Sequence, residues 1–320
     1  AEVGTPVRCA EYVPSGVREF AALSPAAVAQ QLEALVTHLP SGRKQVTRAP
    51  GYTVDRRLFD QGLVGEALAA GAELWLRAPV LREERGGFVV RREGATVLGR
   101  AQVTIGADGP SSVVARSLGN PPQRTAAGAQ VTVRLRGRLS AAEVFFGPEC
   151  PGGYGWLFPK GERANVGVAV DRRLGGGARI ALAALLRRLE EAAIVLPVSV
   201  ERRTGGAVPL GGPRPCIQAG RVLLVGDAAG HTHPITGAGI YHALVGGRTA
   251  GRLAADAVAL GDARVLGEYG ERCRSWLGRT LERAAERRAA YEACWRRGEI
   301  GDELIRRTWV AFQEYYRDAA

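Results

Sequence analysis

The sequence predicts an α/β protein: a Rossmann-like domain made of two sequence pieces, an antiparallel sheet inserted between them, and a C-terminal helical segment. Three observations lead to this prediction. Val222–Val225 is an apolar run that ends at Gly226 and Asp227 and precedes a helical pattern of small residues, as in parallel α/β sheets. Between residues 127 and 206, apolar and polar residues alternate, as in antiparallel strands. After Leu260, apolar residues recur at helical spacing.

Composition and charge narrow the class of protein. At 320 residues the chain can bury a sizeable core in more than one domain. No apolar run approaches the roughly 18 residues needed to cross a bilayer. The net charge of +11 comes almost entirely from arginine, since only Lys44 and Lys160 are lysines. No zinc-finger spacing or aromatic-studded basic motif occurs, so nucleic acid is not the expected partner. Attraction to an anionic membrane surface is the functional interpretation, and a merely basic surface is the alternative.

The spacing of cysteine and histidine argues against a metal site. The five cysteines are scattered and form no C-x-x-C pair, so we expect neither a disulfide framework nor a zinc site. His231 and His233 are close in sequence, but no further ligands lie near them. We therefore expect no metal. A reducing cytoplasm fits this cysteine usage, with peripheral contact to a membrane.

The other elements follow from periodicity and turn residues. Residues 25–39 are expected to form a helix, because Val28, Leu32, Leu35 and Val36 are spaced helically after a start signal at Ser24. The further expected elements are a strand at Tyr52–Val54, a helix ending at Gly71, strands at Glu73–Leu76, Gly87–Arg91 and Thr96–Val103, a strand at Val103–Ile105, a helix from Ser111, strands at Gln130–Arg136 and Asn165–Val170, a helix at Ile180–Leu189, a strand at Val198–Val208, and helices at Leu266–Ala290 and Asp302–Tyr316.

The loop after Val222–Val225 has the features of a ligand site. Asp227 follows a buried strand at its carboxyl end, where open α/β sheets bind ligands. Thr236 is the expected N-cap of the next helix. Because Gly237 and Gly239 carry no side chains, backbone N–H groups there can approach a ligand that bears negative charge. A plain structural turn is the alternative interpretation.

Several motifs occur in the order found in one family of flavoproteins. They are PVRCAE near the start, D-R-x-x-F-D at Asp55–Asp60, D-G at Asp108, Y-x-W-x-F-P-K at Tyr154–Lys160 followed by N-V-G-V, and GDAAG with HPITGAGI at 226–240. Together they resemble the geranylgeranyl reductase family of FAD-dependent oxidoreductases, which has the p-hydroxybenzoate-hydroxylase fold. The resemblance covers nearly the whole chain. It implies an FAD-binding domain at 1–118 and 207–262, a substrate domain at 119–206 and a helical segment at 263–320.

The resemblance also implies site residues. Asp227 would bond the ribityl chain of FAD, and the helix start at Gly237–Ile240 would face the pyrimidine edge of the isoalloxazine. Tyr154, Trp156 and Phe158, two apart on a strand, would form an aromatic wall for a long apolar substrate, with plain core as the alternative. Cys9 is the candidate catalytic residue, and a small buried hydrophobe is its alternative reading. The implied cofactor contacts are Arg8, Cys9, Ala10, Arg56, Val80, Asp108, Gly109, Gly226, Asp227, Pro234, Gly237, Ala238, Gly239 and Ile240.

The implied activity is reduction of C=C bonds in the polyprenyl chain of a lipid, quinone or chlorophyll precursor. N5 of the reduced flavin would deliver hydride to one carbon, and a proton would reach the other. The electron donor is either NADPH or a ferredoxin. Because no G-x-G-x-x-G occurs, we expect the adenosine-diphosphate half of the FAD site to be missing from this chain. Two alternatives stay open: an FAD-dependent monooxygenase on the same fold, and a cofactor-poor, non-enzymatic fragment.

Overall fold

Two compact units make up the computed structural model, which describes residues 2–84, 86–197 and 199–317. The small-sheet unit comprises mainly Val64–Arg124 and Pro209–Ala285. The large-sheet unit comprises Gly4–Leu63, Thr125–Val208 and the chain from Glu286 onward. Each unit is therefore assembled from pieces that lie far apart in the sequence.

The chain alternates between strands and helices, which confirms the predicted α/β class. The strands are β1 Tyr12–Pro14, β2 Val28–His38, β3 Lys44–Val54, β4 Val80–Glu84, β5 Gly87–Arg92, β6 Ala95–Gly99, β7 Thr104–Gly106, β8 Thr125–Arg134, β9 Ala141–Phe145, β10 Tyr154–Lys160, β11 Arg163–Val170, β12 Arg202–Pro209, β13 Gln218–Ala219 and β14 Val222–Leu224. The α-helices are α1 Arg56–Ala69, α2 Val113–Ser117, α3 Ala178–Glu191, α4 Gly226–Ala229, α5 Ile240–Leu260, α6 Tyr269–Cys273, α7 Arg279–Arg296 and α8 Asp302–Thr308.

The large-sheet unit is built on one sheet of eight strands in the order β1-β3-β2-β9-β10-β11-β8-β12. β2 and β9 run parallel, whereas β10 and β11 and β8 and β11 pair antiparallel. One face of β8, β10 and β11 packs against α3 in a core of valine and leucine side chains, among them Val131, Leu157, Val166 and Leu185. Because side chains alternate along a strand, Tyr154, Trp156 and Phe158 project from the other face.

The helix predicted over residues 25–39 is wrong. A single 3₁₀ turn at Pro25–Ala27, capped by Ser24, leads into the eleven-residue strand β2. Its register with β3 shifts twice, between Val28 and Gln30 and again between Leu32 and Ala34. Each irregularity changes the phase of the in–out alternation, so apolar residues of a strand come to lie at helix-like spacing. Pairing with β3 and β9 then decides in favour of the strand.

The small-sheet unit contains two three-stranded sheets. In one, of order β13-β14-β7, β14 runs parallel to β7 and antiparallel to β13. The expected buried strand before Asp227 is therefore confirmed as β14, with Leu223 and Leu224 fully buried. Leu223 packs against Leu253 and Ala257 of α5 and against Tyr269. The other sheet is the expected antiparallel meander, formed by β4, β5 and β6.

The first strand of that meander differs from the prediction. Glu73–Leu76 was expected to be a strand, but in the described residues it pairs with no strand, and the meander begins at Val80. Leu74, Trp75 and Leu76 are exposed. A short apolar run needs a ladder partner to become a strand, and the partner of β5 is β4.

The remaining predicted elements match the structure with shifted ends. Of the strand predicted over Val198–Val208, Val198 lies outside the described residues and the strand is β12. The expected C-terminal helices are present as α6, a π-helical turn at Arg274–Gly278, α7, α8 and a 3₁₀ turn at Gln313–Tyr316. Residues 318–320 lie outside the described residues. None of the helices in the described ranges is long and apolar enough to span a bilayer.

Candidate functional site

The residues expected to contact the cofactor are divided between the two units. In the small-sheet unit, Asp108 and Asp227 follow the neighbouring parallel strands β7 and β14. Val225 N donates to Gly106 O at 3.0 Å, so the two strands stay paired to their carboxyl ends. Both aspartates therefore lie at one edge of this parallel pair, the edge at which such sheets bind ligands.

Asp108 holds the start of α2. Its Oδ2 accepts hydrogen bonds from the backbone N–H groups of Val113 and Val114, at 2.7 and 3.3 Å, and its Oδ1 accepts the hydroxyl of Ser112. Gly109 follows with a φ of +78°, a conformation that side chains disfavour. Asp108 thus has a role in its own unit, and its contact with the cofactor stays a prediction.

Asp227 faces the start of α5. Thr232 donates its hydroxyl to Asp227 Oδ1. A Cβ built on Gly239 would lie 3.2 Å from the same oxygen, which is tighter than ordinary contact. Gly226, just before Asp227, has a φ of +55° and packs against Ala243 of α5. Glycine at 226 and 239 therefore lets the Asp227 loop lie against the helix start.

The N-terminus of α5 begins at Ile240, with Gly239 as N-cap. The prediction that Thr236 is the N-cap is wrong, because the chain makes one more turn: Gly237 N donates to His233 O at 2.9 Å, with Gly237 at a φ of +67°. Among the described residues, no side chain caps the start of α5. Backbone N–H groups at a helix start have no intrahelical partner and carry positive partial charge. These N–H groups at the start of α5 fit a planar ligand edge that accepts hydrogen bonds, such as the pyrimidine edge of a flavin.

Three histidines are buried at this loop, and no sequence motif assigned a role to any of them. His233 Nδ1 accepts hydrogen bonds from the backbone N–H groups of Ile235 and Thr236, at 3.3 and 3.2 Å. His242, on the first turn of α5, places Nδ1 3.1 Å from Ala238 O. Burial, reinforced by repulsion from His242, lowers the pKa of His231 and of His233 to about 4. Burial also lowers the pKa of His242. Neutral imidazoles therefore brace the loop at neutral pH.

In the large-sheet unit, side chains from three strands of the large sheet bind the segment Val7–Glu11. Its backbone carbonyls accept from Thr204 Oγ1 to Val7 at 3.0 Å, from Gln130 Nε2 to Cys9 at 3.0 Å and from Asn165 Nδ2 to Ala10 at 3.2 Å. Three of the five residues of the segment are thus held by β12, β8 and β11. Arg8 is exposed.

Glu11 anchors the end of the segment. Its carboxylate is buried and accepts from Lys160 Nζ at 2.8 Å, Asn165 Nδ2 at 2.7 Å and the backbone N–H of Arg56 at 3.0 Å. Its φ of +70° is unusual for a side chain other than glycine. A buried, fully bonded ion pair can maintain such a conformation, because breaking it would leave a charge buried without a partner. The sequence motif contained Lys160 and Asn165 but did not reveal this partner.

Cys9 and Arg56 contact each other. Cys9 Sγ accepts hydrogen bonds from the backbone N–H of Glu11 at 3.2 Å and from Arg56 Nη1 at 3.4 Å. Arg56 also pairs with Asp60, at 2.9 Å. Burial opposes the charge on Arg56, but attraction to Cys9 and Asp60 outweighs it, so the pKa of Arg56 is raised. Arg56 is therefore held by Cys9 and Asp60.

Tyr154, Trp156 and Phe158 form one continuous row of rings. Ring centroids lie 6.0 Å apart between Tyr154 and Trp156, and 6.4 Å apart between Trp156 and Phe158. The row continues from Phe158 to Tyr12 at 5.4 Å, and from Tyr154 to Trp309 at 5.0 Å. We call these five rings the aromatic row. Trp156 crosses Gly167 of β11, where a Cβ would overlap the indole. The period-two spacing revealed three of the rings but not Tyr12 or Trp309, which come from distant segments.

Val80, the last predicted cofactor contact, begins β4 and pairs with Val90. Its side chain is exposed. Its contact with the cofactor, like those of Arg8, Cys9, Ala10 and Arg56, stays a prediction.

Known proteins resemble this chain in sequence and in fold. A family model described as the geranylgeranyl reductase catalytic domain matches residues 130–193. Digeranylgeranylglycerophospholipid reductase 1 of Methanopyrus kandleri is 38% identical over 309 residues, covering 89% of this chain and 80% of that protein. The digeranylgeranylglycerophospholipid reductase of Methanocaldococcus jannaschii is 34% identical, covering 85% of this chain and 73% of that protein.

Among solved structures, a geranylgeranyl bacteriochlorophyll reductase-like protein from Thermoplasma acidophilum superposes with a TM-score of 0.85 at 24% identity, covering 98% of this chain and 83% of that one. A probable FAD-dependent monooxygenase of Pseudomonas aeruginosa, PqsL, superposes with a TM-score of 0.62 at 21% identity, covering 93% and 91%. The fold is that of FAD-dependent oxidoreductases and halogenases. The sequence relatives identify the family. The chain belongs to the geranylgeranyl reductase family, and it is an FAD-dependent oxidoreductase.

Proposed function

We propose that this protein reduces C=C bonds in the polyprenyl chains of a glycerophospholipid. The relatives named above are reductases of digeranylgeranylglycerophospholipid. The observation that carries the proposal in this chain is the aromatic row, a long, rigid series of apolar rings of the kind that lines a binding site for an unsaturated hydrocarbon chain. Its length, from Tyr12 to Trp309, suits a chain better than a compact ring substrate.

The residues that would hold FAD begin with the Asp227 loop. The carboxylate of Asp227, near Gly226 and Pro234 in the sequence, would accept hydrogen bonds from hydroxyl groups of the ribityl chain. The uncapped start of α5, from Gly237 to Ile240, would donate hydrogen bonds to the pyrimidine edge and stabilise negative charge there. When bound and reduced, FAD supplies hydride to one carbon of the double bond. We propose Arg8, Cys9, Ala10, Arg56, Val80, Asp108 and Gly109 as its further contacts.

The proton for the second carbon needs a donor held in place. Cys9 is our candidate, because its segment is fixed by hydrogen bonds from three strands and its sulfur already has two donors directed at it. A firmly held group is the requirement for proton transfer at a defined carbon. The electron donor is proposed to be NADPH or a ferredoxin, and a chemical reductant can replace either in a test.

Peripheral contact with a membrane is a further part of the proposal. Trp309, Phe312 and Tyr315 of the C-terminal segment are buried, so these aromatic residues pack inside the protein. Trp276 and Tyr316 are exposed by 61% and 53%. Exposed aromatic side chains on a protein with a net charge of +11 support shallow contact with an anionic lipid surface.

The test is an anaerobic assay of the FAD-loaded protein with digeranylgeranylglycerophospholipid and dithionite as the reductant. We expect the lipid to gain two hydrogens for each double bond reduced, read by mass spectrometry. In a parallel aerobic reaction with NADPH, the consumption of oxygen is measured. Uptake of oxygen with an oxygenated product would establish the monooxygenase instead. An unchanged lipid in a protein that carries FAD would refute the proposed substrate.

A further inference from the structure

Gln130 is a buried amide placed between two parts of the proposed site. It lies on β8, directly opposite Gly167 of β11, which in turn lies opposite Trp156 of β10. The middle position is a glycine, so the indole of Trp156 can lie across β11 and reach the next strand. Trp156 Nε1 donates to Gln130 Oε1 at 2.9 Å.

The other end of the same amide holds Cys9. Gln130 Nε2 donates to the backbone carbonyl of Cys9 at 3.0 Å. The indole N–H can only donate and a carbonyl can only accept, so the two partners together fix which way the amide points. Gln130 is 4% exposed, so neither bond is readily replaced by water.

From this geometry we propose that Gln130 is a positioning residue that couples Trp156 of the aromatic row to Cys9. A shift of the indole moves the amide, and the amide moves the Cys9 carbonyl and with it the thiol. Only a side chain that accepts at one end and donates at the other can do this at this register. The inference rests on the proposed function for its meaning, because it links the surface proposed for the polyprenyl chain to the proposed proton donor.

The coupling is measured without any turnover, by the rate at which iodoacetamide alkylates Cys9 in the FAD-loaded protein, followed by peptide mass spectrometry. Cys294, which is also partly exposed, serves as the internal reference. Gln130→Leu removes both bonds. We expect it to raise the Cys9 rate roughly fivefold, the size expected for the loss of one hydrogen bond.

Two tryptophan variants separate coupling from general loosening. Trp156→Phe removes the N–H that holds Gln130 and leaves an aromatic ring in place. Trp309→Phe makes the same chemical change in the aromatic row, but the buried Trp309 Nε1 has no hydrogen-bond partner in the described residues. We expect Trp156→Phe to raise the Cys9 rate and Trp309→Phe to leave it unchanged. Equal rates in these two variants would overturn the proposal.

Gln130→Glu separates the two ends of the amide. A carboxylate still accepts from Trp156 but cannot donate to Cys9. We expect faster alkylation of Cys9 and a lower kcat, with a KM for the polyprenyl substrate within about twofold of the wild type. A raised KM with unchanged kcat and alkylation would show that Gln130 serves the aromatic row alone and would overturn the coupling. If no variant or wild-type protein reduces the lipid, the proposed function fails, whereas the alkylation rates still decide the coupling.

Discussion

At the scale of single residues, two glycines make room for side chains of the candidate site. Asp227 faces Gly239, and a Cβ built on Gly239 would lie only 3.2 Å from Asp227 Oδ1. In the large-sheet unit, Gly167 has the same relation to Trp156. In both places a backbone without a Cβ lets a functional side chain lie flat against its neighbour.

We expect Asp227→Asn to weaken FAD binding roughly tenfold to a hundredfold, because hydrogen bonds to a charged acceptor are among the stronger ones. Flavin fluorescence during titration of the FAD-depleted protein measures the affinity. Asp256→Asn, on an exposed position of α5, is the matched control and should leave the affinity unchanged. An Asp227→Asn protein with wild-type affinity would contradict the role proposed for this carboxylate.

Gly167→Ala should destabilise the protein by about 1–3 kcal/mol, because the added methyl overlaps the indole of Trp156 and forces it to move. Urea unfolding gives the free energy, and tryptophan emission reports the displaced ring. Gly62→Ala, on α1 with nothing within 4 Å of a built Cβ, is the control and should be neutral or slightly stabilising. The explanation fails if the two variants unfold alike.

At the scale of elements, the sequence predicts best where local periodicity and tertiary packing agree. Aromatic residues at every second position predict β10, and an apolar run ended by glycine predicts β14. The pattern of β2 predicts a helix because two register shifts with β3 conceal its alternation. Gln130 gave no signal, since its role depends on Cys9 and Trp156, which reach it from distant parts of the chain. Contacts of that kind are set by tertiary structure, which no local pattern encodes.

The loop before α5 should weaken in acid. The pKa values of His231 and His233 are lowered to about 4 in the folded protein, against an ordinary value of 6.5. The unfolded state therefore binds more protons below pH 6.5, so the stabilisation is present above that pH and is lost as pH falls towards 4. A shift of this size corresponds to about 3 kcal/mol per histidine. We expect the free energy of unfolding to drop between about pH 7 and pH 5, and His233→Gln to show a shallower drop. Equal slopes would refute this account.

α7 should depend on one arginine for its attachment within the large-sheet unit. Arg288 is buried and donates to Glu292 at 2.5 Å, to Gly152 O at 2.6 Å and to Asp171 at 3.4 Å. Arg288→Ala leaves two carboxylates buried without it, so we expect a loss of about 3–5 kcal/mol in urea unfolding. Arg279→Ala, at the exposed start of the same helix, is the control and should cost less than about 0.5 kcal/mol.

At the scale of the whole molecule, the net charge of +11 predicts attraction to anionic lipid. The protein should sediment with vesicles that contain phosphatidylglycerol and not with vesicles of phosphatidylcholine alone. Binding should fall as salt rises from about 0.1 M to about 0.5 M, since the attraction is screened over a shorter distance. Equal sedimentation with both kinds of vesicle would show that charge is not the cause.

The attachment of α7 also affects when the large-sheet unit can fold during synthesis. Arg288 and Tyr291 bond the carbonyls of Gly152 and Gly153, the turn that leads into β10, and Ala311 O accepts the hydroxyl of Thr47 on β3. These partners leave the ribosome long after the strands that they hold. The large-sheet unit therefore completes its folding only once the piece from Glu286 onward has emerged. Until then, the strand surface that this piece contacts is uncovered and can be bound by a chaperone.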